Sequence, residues 1–422
     1  MTEILKGMLP PTAEIVSLLL MGACGVQLLG RLIRVLRGQE AAKACGHVRR
    51  KTPMRGILLA MAAALLSRLA VYVIGWGMYR ALGGEGGLLQ TLKPLWIRWD
   101  TAHYLGIAEQ GYTAVGDERL RLVFFPLYPL LMRLLAPLAG GDVFYAGLLI
   151  SLLCASACAG LLYALAQDVF GRRTAALAVA YFLLSPLSVF LCCAYTEALF
   201  ICLTLAAILL YRRGYPWLAA VCGMLSAFTR MPGVIVSGLF IIGAIGRFGE
   251  GKLRKRDALA CAAQVGVVFL GLAAYWLVNY AVTGDPMTYL TYQRENWFQE
   301  PGSFWRTAEN TAYYFVHTVG ASDWLYTWGF QLLCIFYVMA LLAVGQGRLP
   351  FDFAAYSFVY TAVVLAPTWL LSGARYLYAL APLPLLKARM HRSVFMHALA
   401  LTLSAVLLLI WIYGYTIAVE VL

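Results

Sequence analysis

The chain consists mostly of apolar runs about as long as a bilayer is thick, and this pattern limits the folds that it can adopt. Of its 422 residues, 62% are hydrophobic and only 13% are charged. Average soluble chains carry about 25% charged residues, and a soluble fold has too little interior to bury so much Leu, Ala and Val. A transmembrane helix needs about 20 predominantly apolar residues, and such segments recur along the sequence. The sequence therefore predicts an all-α polytopic membrane protein.

Segments of this kind occur about a dozen times, so we expect a bundle of about 12 transmembrane helices, correct to one or two. The bundle forms a single integral-membrane domain over 1–422. The first apolar segment has no basic stretch ahead of it, so we expect a retained span rather than a cleaved signal peptide. The predicted spans lie near 12–33, 56–82, 143–167, 174–193, 194–211, 216–232, 233–246, 258–282, 325–345, 352–371, 374–388 and 393–418.

The positive charge of the chain, formally +13, is concentrated in every second connection between predicted spans. These connections hold 21 of the 33 Lys and Arg residues. By the positive-inside rule they lie on the cytoplasmic side, so the surplus reflects topology and contact with anionic lipid, not nucleic acid. They are 31–55, 172–173, 212–213, 247–256, 348 and 387–392. The connections predicted to face outward are about 83–142, 195–197, 229–233, 283–324 and 372–376.

The ten cysteines show neither a disulfide framework nor the spacing of metal ligands. Most lie inside apolar runs, where Cys behaves as a small hydrophobic residue, and Cys192 and Cys193 are adjacent near a predicted helix end. We therefore expect all ten to serve packing, and no Cys/His cluster predicts a zinc site.

The first long polar interval, Trp96–Tyr112, holds an acid, a His, an Arg and several aromatic residues. From Asp100 onward it predicts a short helix at the membrane surface that ends at Gly111. Asp100, His103 and Tyr104 are spaced at i, i+3 and i+4, so they project from one face of that helix. An Asp at this position usually caps the first turn. The alternative is a catalytic carboxylate, which the surrounding sugar- and headgroup-facing aromatic residues favour.

The segment Phe124–Leu138 is apolar enough to cross the membrane, but its three prolines make it a poor straight helix. A crossing here would also turn every later basic connection outward. We therefore expect a second interfacial helix on the outer leaflet, within one long outer loop.

At this point the motifs resemble those of a known family, the PIG-V-like mannosyltransferases. In layout the chain also resembles the wider GT-C superfamily of integral-membrane glycosyltransferases. The resemblance covers about 92–386, and the chain departs from it by an extra span ahead of the motif-bearing loop and by the basic 31–55 connection. The residues that carry it are Trp99-Asp100 with His103, Gly111-Tyr112, Phe124–Pro129, Ser185-Pro186, Tyr195-Thr196-Glu197, Thr229-Arg230 before Gly233, and Arg375-Tyr376 followed by Pro382.

The resemblance implies transfer of a hexose, with mannose expected, from a polyprenyl-phosphate sugar to an acceptor hydroxyl on the outer leaflet, with inversion. It implies a GT-C-like module over 56–250, with the first outer loop at 83–142, and more variable helices over 251–422. The acceptor, whether lipid, glycan or protein, stays open. The expected location is a bacterial plasma membrane, with the active site facing outward.

Two other classes of function compete with the enzyme. A transporter or flippase of lipid-linked saccharides would place its charges near the bilayer midplane, often in two repeated halves. Here the isolated charges gather at one predicted face and no internal repeat is found, so this alternative ranks second. A catalytically inactive scaffold subunit is the third possibility.

Family resemblance assigns expected roles to the isolated charged residues. Asp100 is the expected general base for the acceptor hydroxyl, and His103 orients either Asp100 or the acceptor. The departing phosphate favours a guanidinium group, for which Arg98, Arg230 and Arg375 are the candidates. The alternative for each arginine is that its side chain reaches out to the lipid headgroups.

Glu197 lies between two apolar runs, where an ionised group is costly unless it is paired or faces water. We expect it to bind the acceptor or to act as a second carboxylate near the catalytic one, and the alternative is an exposed acid at a helix turn. Tyr104, Tyr195 and Tyr376 accompany the charged residues and are expected substrate contacts. A divalent cation, Mg²⁺ or Mn²⁺, is chemically compatible with carboxylates on this face, but one Asp and one distant Glu are not a metal signature.

Overall fold

The computed structural model describes residues 3–40 and 52–419. Over these residues the chain is built of helices joined by short turns, and no strand is formed, as the sequence predicts. The helices are α1 (Glu3–Leu36), α2 (Met54–Ala81), α3 (Leu88–Trp96), α4 (Asp100–Gln110), α5 (Leu127–Leu135), α6 (Val143–Phe170), α7 (Arg172–Leu183), α8 (Glu197–Arg212), α9 (Pro216–Thr229), α10 (Ser237–Gly249), α11 (Lys255–Thr283), α12 (Thr288–Trp297), α13 (Phe304–His317), α14 (Phe330–Gly345), α15 (Phe351–Val364), α16 (Gly373–Tyr378), α17 (Leu383–Met390) and α18 (Val394–Thr416).

Among the described residues, seven helical segments are long and apolar enough to cross a membrane. Two further pairs of helices are sharply bent at a short break, and counting each as one span gives nine. One of these pairs joins α7 to the 3₁₀ helix Pro186–Cys192 at 76°. The polytopic membrane class predicted from the sequence is confirmed.

The count is lower than twelve because several predicted spans form shorter helices than their apolar composition suggests. Helix α8 has 16 residues, and α9 and α15 have 14 each. At 1.5 Å per residue these helices fall short of a hydrocarbon core about 30 Å thick. The predicted span near 374–388 contains α16, which has 6 residues, and most of α17. Apolar composition predicted helices here, but prolines and glycines divide them.

Helix α6 lies at the centre of the bundle, with α2, α7 and α8 packed around it. Its most apolar window is 67% buried, whereas those of α2, α11 and α18 are 22–28% buried and leave apolar faces for lipid. Small residues on α6 allow this close packing. A Cβ added at Gly160 would lie 2.7 Å from the Met61 side chain, which would have to move to make room for it.

The first outer loop contains three short α-helices, α3, α4 and α5, and the 3₁₀ helix Asp117–Val123. The predicted helix over Phe124–Leu138 exists as α5 followed by a 3₁₀ turn, and it meets the preceding 3₁₀ helix at 107°. Helix α4 begins at Asp100 and stops before Gly111, whose φ of 85° is a conformation that favours glycine, as predicted.

All nine cysteines in the described part of the chain are free thiols that are buried or half-buried. The tenth, Cys45, and much of the predicted basic 31–55 connection lie outside the described residues.

Candidate active site

The guanidinium group of Arg375 links two acidic side chains that lie far apart in the sequence. Its Nη2 donates to Asp100 Oδ2 at 2.8 Å and to Glu197 Oε1 at 2.7 Å, and its Nε donates to the same Glu197 oxygen at 3.0 Å. The Arg375 side chain is 4% exposed and packs against two aromatic rings, with Cζ 4.6 Å from the centre of the Tyr195 ring and 4.8 Å from that of Phe190. The rings and the two carboxylates together fix the orientation of the guanidinium.

Arg230 completes the cluster at the same oxygen of Glu197 that binds Arg375. Its Nη1 lies 3.0 Å from Glu197 Oε1, and its Cζ lies 4.4 Å from the centre of the Tyr376 ring. Glu197 is fully buried, and its second oxygen, Oε2, has no hydrogen-bond partner among the described residues. Two cations and two carboxylates thus form a compact cluster that is neutral when all four groups are ionised.

This cluster borders a cavity of about 410 Å³. Asp100, with a side chain that is 30% exposed, is the carboxylate that reaches the cavity, together with Arg230 and Arg375. The remaining wall is largely apolar and includes Leu370 and Leu371. The cavity is lined by residues from four of the five connections predicted to share one side, namely those at 83–142, 229–233, 283–324 and 372–376. The fifth contributes the buried Glu197 that binds Arg375.

Asp100 is aimed at this cluster by a strained turn immediately before α4. The N–H of Thr101 donates to the carbonyl of Arg98, which closes a turn with Trp99 at its second position. Trp99 has φ 41° and ψ −115°, a conformation that glycine adopts readily and that costs a bulky residue on the order of 1–3 kcal/mol. The Asp100 side chain makes no capping hydrogen bond to α4 and bonds Arg375. Of the two interpretations of Asp100, the helix cap is therefore not supported by its hydrogen bonds.

The two arginines are placed by breaks in the helices that carry them. Arg230 ends α9, and the following 3₁₀ turn lies directly against the α9 backbone. A Cβ added at Gly233 would lie 2.2 Å from the backbone nitrogen of Ala227, so only glycine allows this approach. Arg375 follows the turn into α16, where the N–H of Gly373 donates to the buried Gln331 side chain at 2.6 Å.

His103 and Tyr104 line the cavity beside Asp100, on the face that their spacing predicts. The His103 ring stacks on Phe124 with centroids 4.7 Å apart. Burial lowers the pKa of His103 below its usual value, which favours the neutral imidazole, although Asp100 opposes the shift. Burial also raises the pKa of Tyr104, whose hydroxyl lies 3.4 Å from that of Thr196.

Of the nine residues singled out from the sequence, six line the cavity: Asp100, His103, Tyr104, Arg230, Arg375 and Tyr376. The other three support it. Glu197 binds both arginines, and the hydroxyl of Tyr195 donates to the carbonyl of Arg98 at 3.1 Å. The Nε of Arg98 is buried without a hydrogen-bond partner among the described residues. Arg98 therefore contributes its backbone to this arrangement, and its side chain does not join the charge cluster.

The cluster is a poor match for a divalent cation. Both carboxylates already accept hydrogen bonds from Arg375, so a metal ion would face a fixed positive charge. Within the described parts of the chain, no group of three or more His, Cys, Asp or Glu side chains is arranged to hold a metal ion.

Comparisons with known proteins show what the chain is similar to. A family model described as Mannosyltransferase (PIG-V) matches residues 88–292. Over these residues, just under half of the chain, the protein is similar to the PIG-V mannosyltransferases. The resemblance predicted from the first-loop motif is therefore confirmed. No solved structure matches the chain.

The similar curated proteins are GPI mannosyltransferases. GPI alpha-1,6-mannosyltransferase 2 of Rattus norvegicus is 34% identical over 169 residues, which cover 38% of this chain and 34% of that protein. The Homo sapiens protein of the same name is 30% identical over 212 residues, covering 47% and 41%. GPI mannosyltransferase 2 of Schizosaccharomyces pombe is 26% identical over 192 residues, covering 44% and 40%. The chain thus spans about a third to two fifths of the length of these relatives.

The PIG-V-like region 88–292 contains Asp100, Glu197 and Arg230 but not Arg375. Arg375 is the residue that joins the two acids, and it comes from the part of the chain that the sequence predicts to be more variable. Phe190, which packs against Arg375, is not among the residues predicted from the sequence. Phe190 lies within a continuous apolar run, so no local pattern distinguishes it from a packing residue.

Proposed function

We propose that this protein transfers a mannosyl group from a polyprenyl-phosphate sugar to an acceptor hydroxyl, with Asp100 as the general base. The observation that carries the proposal is the partly exposed carboxylate of Asp100, held beside two arginines in a cavity with an apolar wall. A sugar-phosphate on an isoprenoid chain matches this combination of charge and apolar surface. Similarity to a mannosyltransferase family supports the type of reaction.

In the proposed reaction the acceptor oxygen attacks the anomeric carbon of the donor sugar, and the bond from that carbon to the phosphate oxygen breaks. The acceptor hydroxyl proton passes to Asp100. The bonding electron pair leaves with the phosphate, and a single displacement of this kind inverts the anomeric carbon. General-base assistance of this type contributes about 10²–10⁴-fold in rate.

The arginines are suited to receive the leaving phosphate. Arg375 and Arg230 both line the cavity, and a guanidinium held in place by other side chains stabilises developing charge without reorganising. Arg375 Nη2 is also the donor to Asp100, so an incoming phosphate competes with Asp100 for that group. Donor binding would thereby release the Asp100 carboxylate to act as a base.

The proposal places the cavity on the non-cytoplasmic face of the plasma membrane. Residues of four predicted outer connections line it, and the fifth supplies Glu197, whereas the predicted basic connections carry none of its lining residues. Labelling from outside the cell of a single cysteine introduced at the exposed Glu109 position of α4 tests this orientation.

The catalytic assignment is tested by reconstituting the protein in liposomes with polyprenyl-phosphate mannose and comparing Asp100→Asn with wild type. We expect transfer to fall by about 10²–10⁴-fold. The matched control is Asp142→Asn, which removes another ion-paired acid of the same outer loop, bound to Lys93, and should leave transfer nearly unchanged. Equal transfer by Asp100→Asn and wild type would refute the role of Asp100.

A further inference from the structure

A second charged cavity lies away from the candidate active site, where three of the predicted cytoplasmic connections meet. Its volume is about 300 Å³, and it is lined by Arg173, Arg348, Arg389 and Arg392 together with two histidines. The described residues around it include no Asp or Glu, and none of the four arginines forms an ion pair with a carboxylate in the described parts of the chain. Four guanidinium groups are thus gathered without a counter-charge.

One of these arginines and one of the two histidines are held in place by the fold. Arg348 Nη1 donates to the main-chain carbonyls of Arg389 and Met390, which end α17. The bond neutralises carbonyl oxygens that would otherwise repel an anion. His397 is buried; its Nε2 lies 3.1 Å from the carbonyl of His391 and its Nδ1 lies 2.9 Å from the Tyr181 hydroxyl. The floor of the cavity is therefore ordered, while the arginine side chains remain accessible.

Two helix N-termini border the same cavity. Helix α7 begins at Arg172, beside Arg173 and Thr174 in the cavity wall, and α18 begins two residues after Arg392. The first N–H groups of a helix have no intrahelical acceptor, and in neither helix does the N-cap side chain accept a hydrogen bond from them. Such N–H groups and the helix dipole favour negative charge, as the arginines do.

Apolar side chains mark where the rest of the ligand would lie. Val394 and Phe395 lie two and three residues after Arg392 and are 70% and 71% exposed, on a helix long enough to span the membrane. An anion bound at the arginines would therefore have apolar surface for acyl chains immediately beside it. This continuity favours a lipid headgroup over a soluble anion.

From these observations we propose that this cavity binds the phosphate headgroup of an anionic membrane lipid. The site is separate from the candidate active site and does not depend on the proposed reaction. Its ligand is a phosphomonoester or phosphodiester held by Arg173, Arg392 and the two helix N-termini, with its acyl chains along α18.

The test uses the purified full chain, stripped of lipid in detergent and titrated with dioleoyl phosphatidic acid or dioleoyl phosphatidylcholine, with bound lipid counted by native mass spectrometry. We expect phosphatidic acid to bind and phosphatidylcholine to bind at least about tenfold more weakly. Arg173→Gln and Arg392→Gln should each weaken phosphatidic acid binding about tenfold, because each removes a charge-assisted hydrogen bond. Both residues are exposed, so the variants should fold.

Arg172→Gln is the matched control, since it removes the same charge from the same helical turn but lines a different cavity. Equal loss of binding in Arg172→Gln and Arg173→Gln would overturn the proposal, because net charge alone would then explain the affinity. Equal affinity for the two lipids would also overturn it. A third arm adds inorganic phosphate, and displacement of the lipid at equal concentration would show a site for a soluble phosphate ion and refute the lipid assignment.

Discussion

Replacing Glu197 with Gln tests whether the charge cluster is held together by its buried acid. The change removes one negative charge and preserves the size of the side chain. Glu197 is fully buried, accepts two hydrogen bonds from Arg375, and lies 3.0 Å from Arg230 Nη1. In the variant Arg375 keeps Asp100, but Arg230 loses the only carboxylate with which it pairs in the described parts of the chain.

The magnitude follows from that imbalance. At an effective dielectric constant of about 20, opposite charges 3.0 Å apart attract by about 5 kcal/mol before the cost of removing them from water. Measured losses on removing one partner of a buried ion pair are about 3–5 kcal/mol. We expect Glu197→Gln to lower the free energy of unfolding by that amount. The double variant Glu197→Gln/Arg230→Gln restores neutrality and should recover a large part of the loss.

The assay is denaturant titration of the protein in micelles, followed by tryptophan fluorescence, with mannosyl transfer measured on the folded fraction. Asp352→Asn is the matched control, because Asp352 forms an equally buried ion pair with Arg212 at the other end of α8, about 22 Å from Glu197. The control should lose similar stability while its folded fraction keeps its transfer rate. A loss below about 1 kcal/mol in Glu197→Gln, or a double variant as unstable as the sum of the two single changes, would refute the reasoning.

Substitutions at three further positions probe the rest of the site. Trp99→Gly should be more stable than Trp99→Ala by about 1 kcal/mol, because the positive φ at this position strains alanine and not glycine. The reverse order of stability in the same denaturant titration would contradict the strained turn. Arg375→Lys should lower transfer by more than tenfold, since an ammonium group cannot hold two carboxylates as the planar guanidinium does; unchanged transfer would exclude a bridging role. Burial lowers the pKa of His103, so the unfolded chain binds the imidazole proton more readily than the folded chain does. The free energy of unfolding should therefore fall as the pH drops through the usual histidine range. His103→Gln should flatten that part of a pH–stability profile.

The parts of this structure that the sequence predicts are those governed by local pattern. The apolar runs predict a polytopic helical protein because burial in lipid depends on composition over about 20 residues. The spacing of Asp100, His103 and Tyr104 correctly predicts a shared face, because helix periodicity decides it. The number of spans is less accurate, since short breaks such as Ser185-Pro186 divide apolar segments without changing their composition.

What the sequence does not contain is the pairing between distant charges. Each of Asp100, Glu197, Arg230 and Arg375 has an ordinary local explanation, such as a helix cap, an exposed acid or an arginine at the headgroups. Only the packing of α4, α8, α9 and α16 shows that one guanidinium serves both acids. The strain at Trp99 is equally invisible in the sequence, because it results from the fixed positions of the residues on either side.

The charge of the cluster suggests why a reaction of the proposed kind would need two arginines and two acids. With all four groups ionised the cluster is neutral, so it can remain buried before a substrate binds.

In the proposed transfer Asp100 gains a proton and the cluster becomes positive by one unit. At the same step the phosphate loses its bond to the sugar and gains one unit of negative charge. The new positive charge thus appears beside the group that becomes negative, and this compensation depends on Glu197 staying ionised to balance one arginine. Glu197 is therefore a positioning residue whose removal should impair transfer even in the fraction of molecules that remains folded.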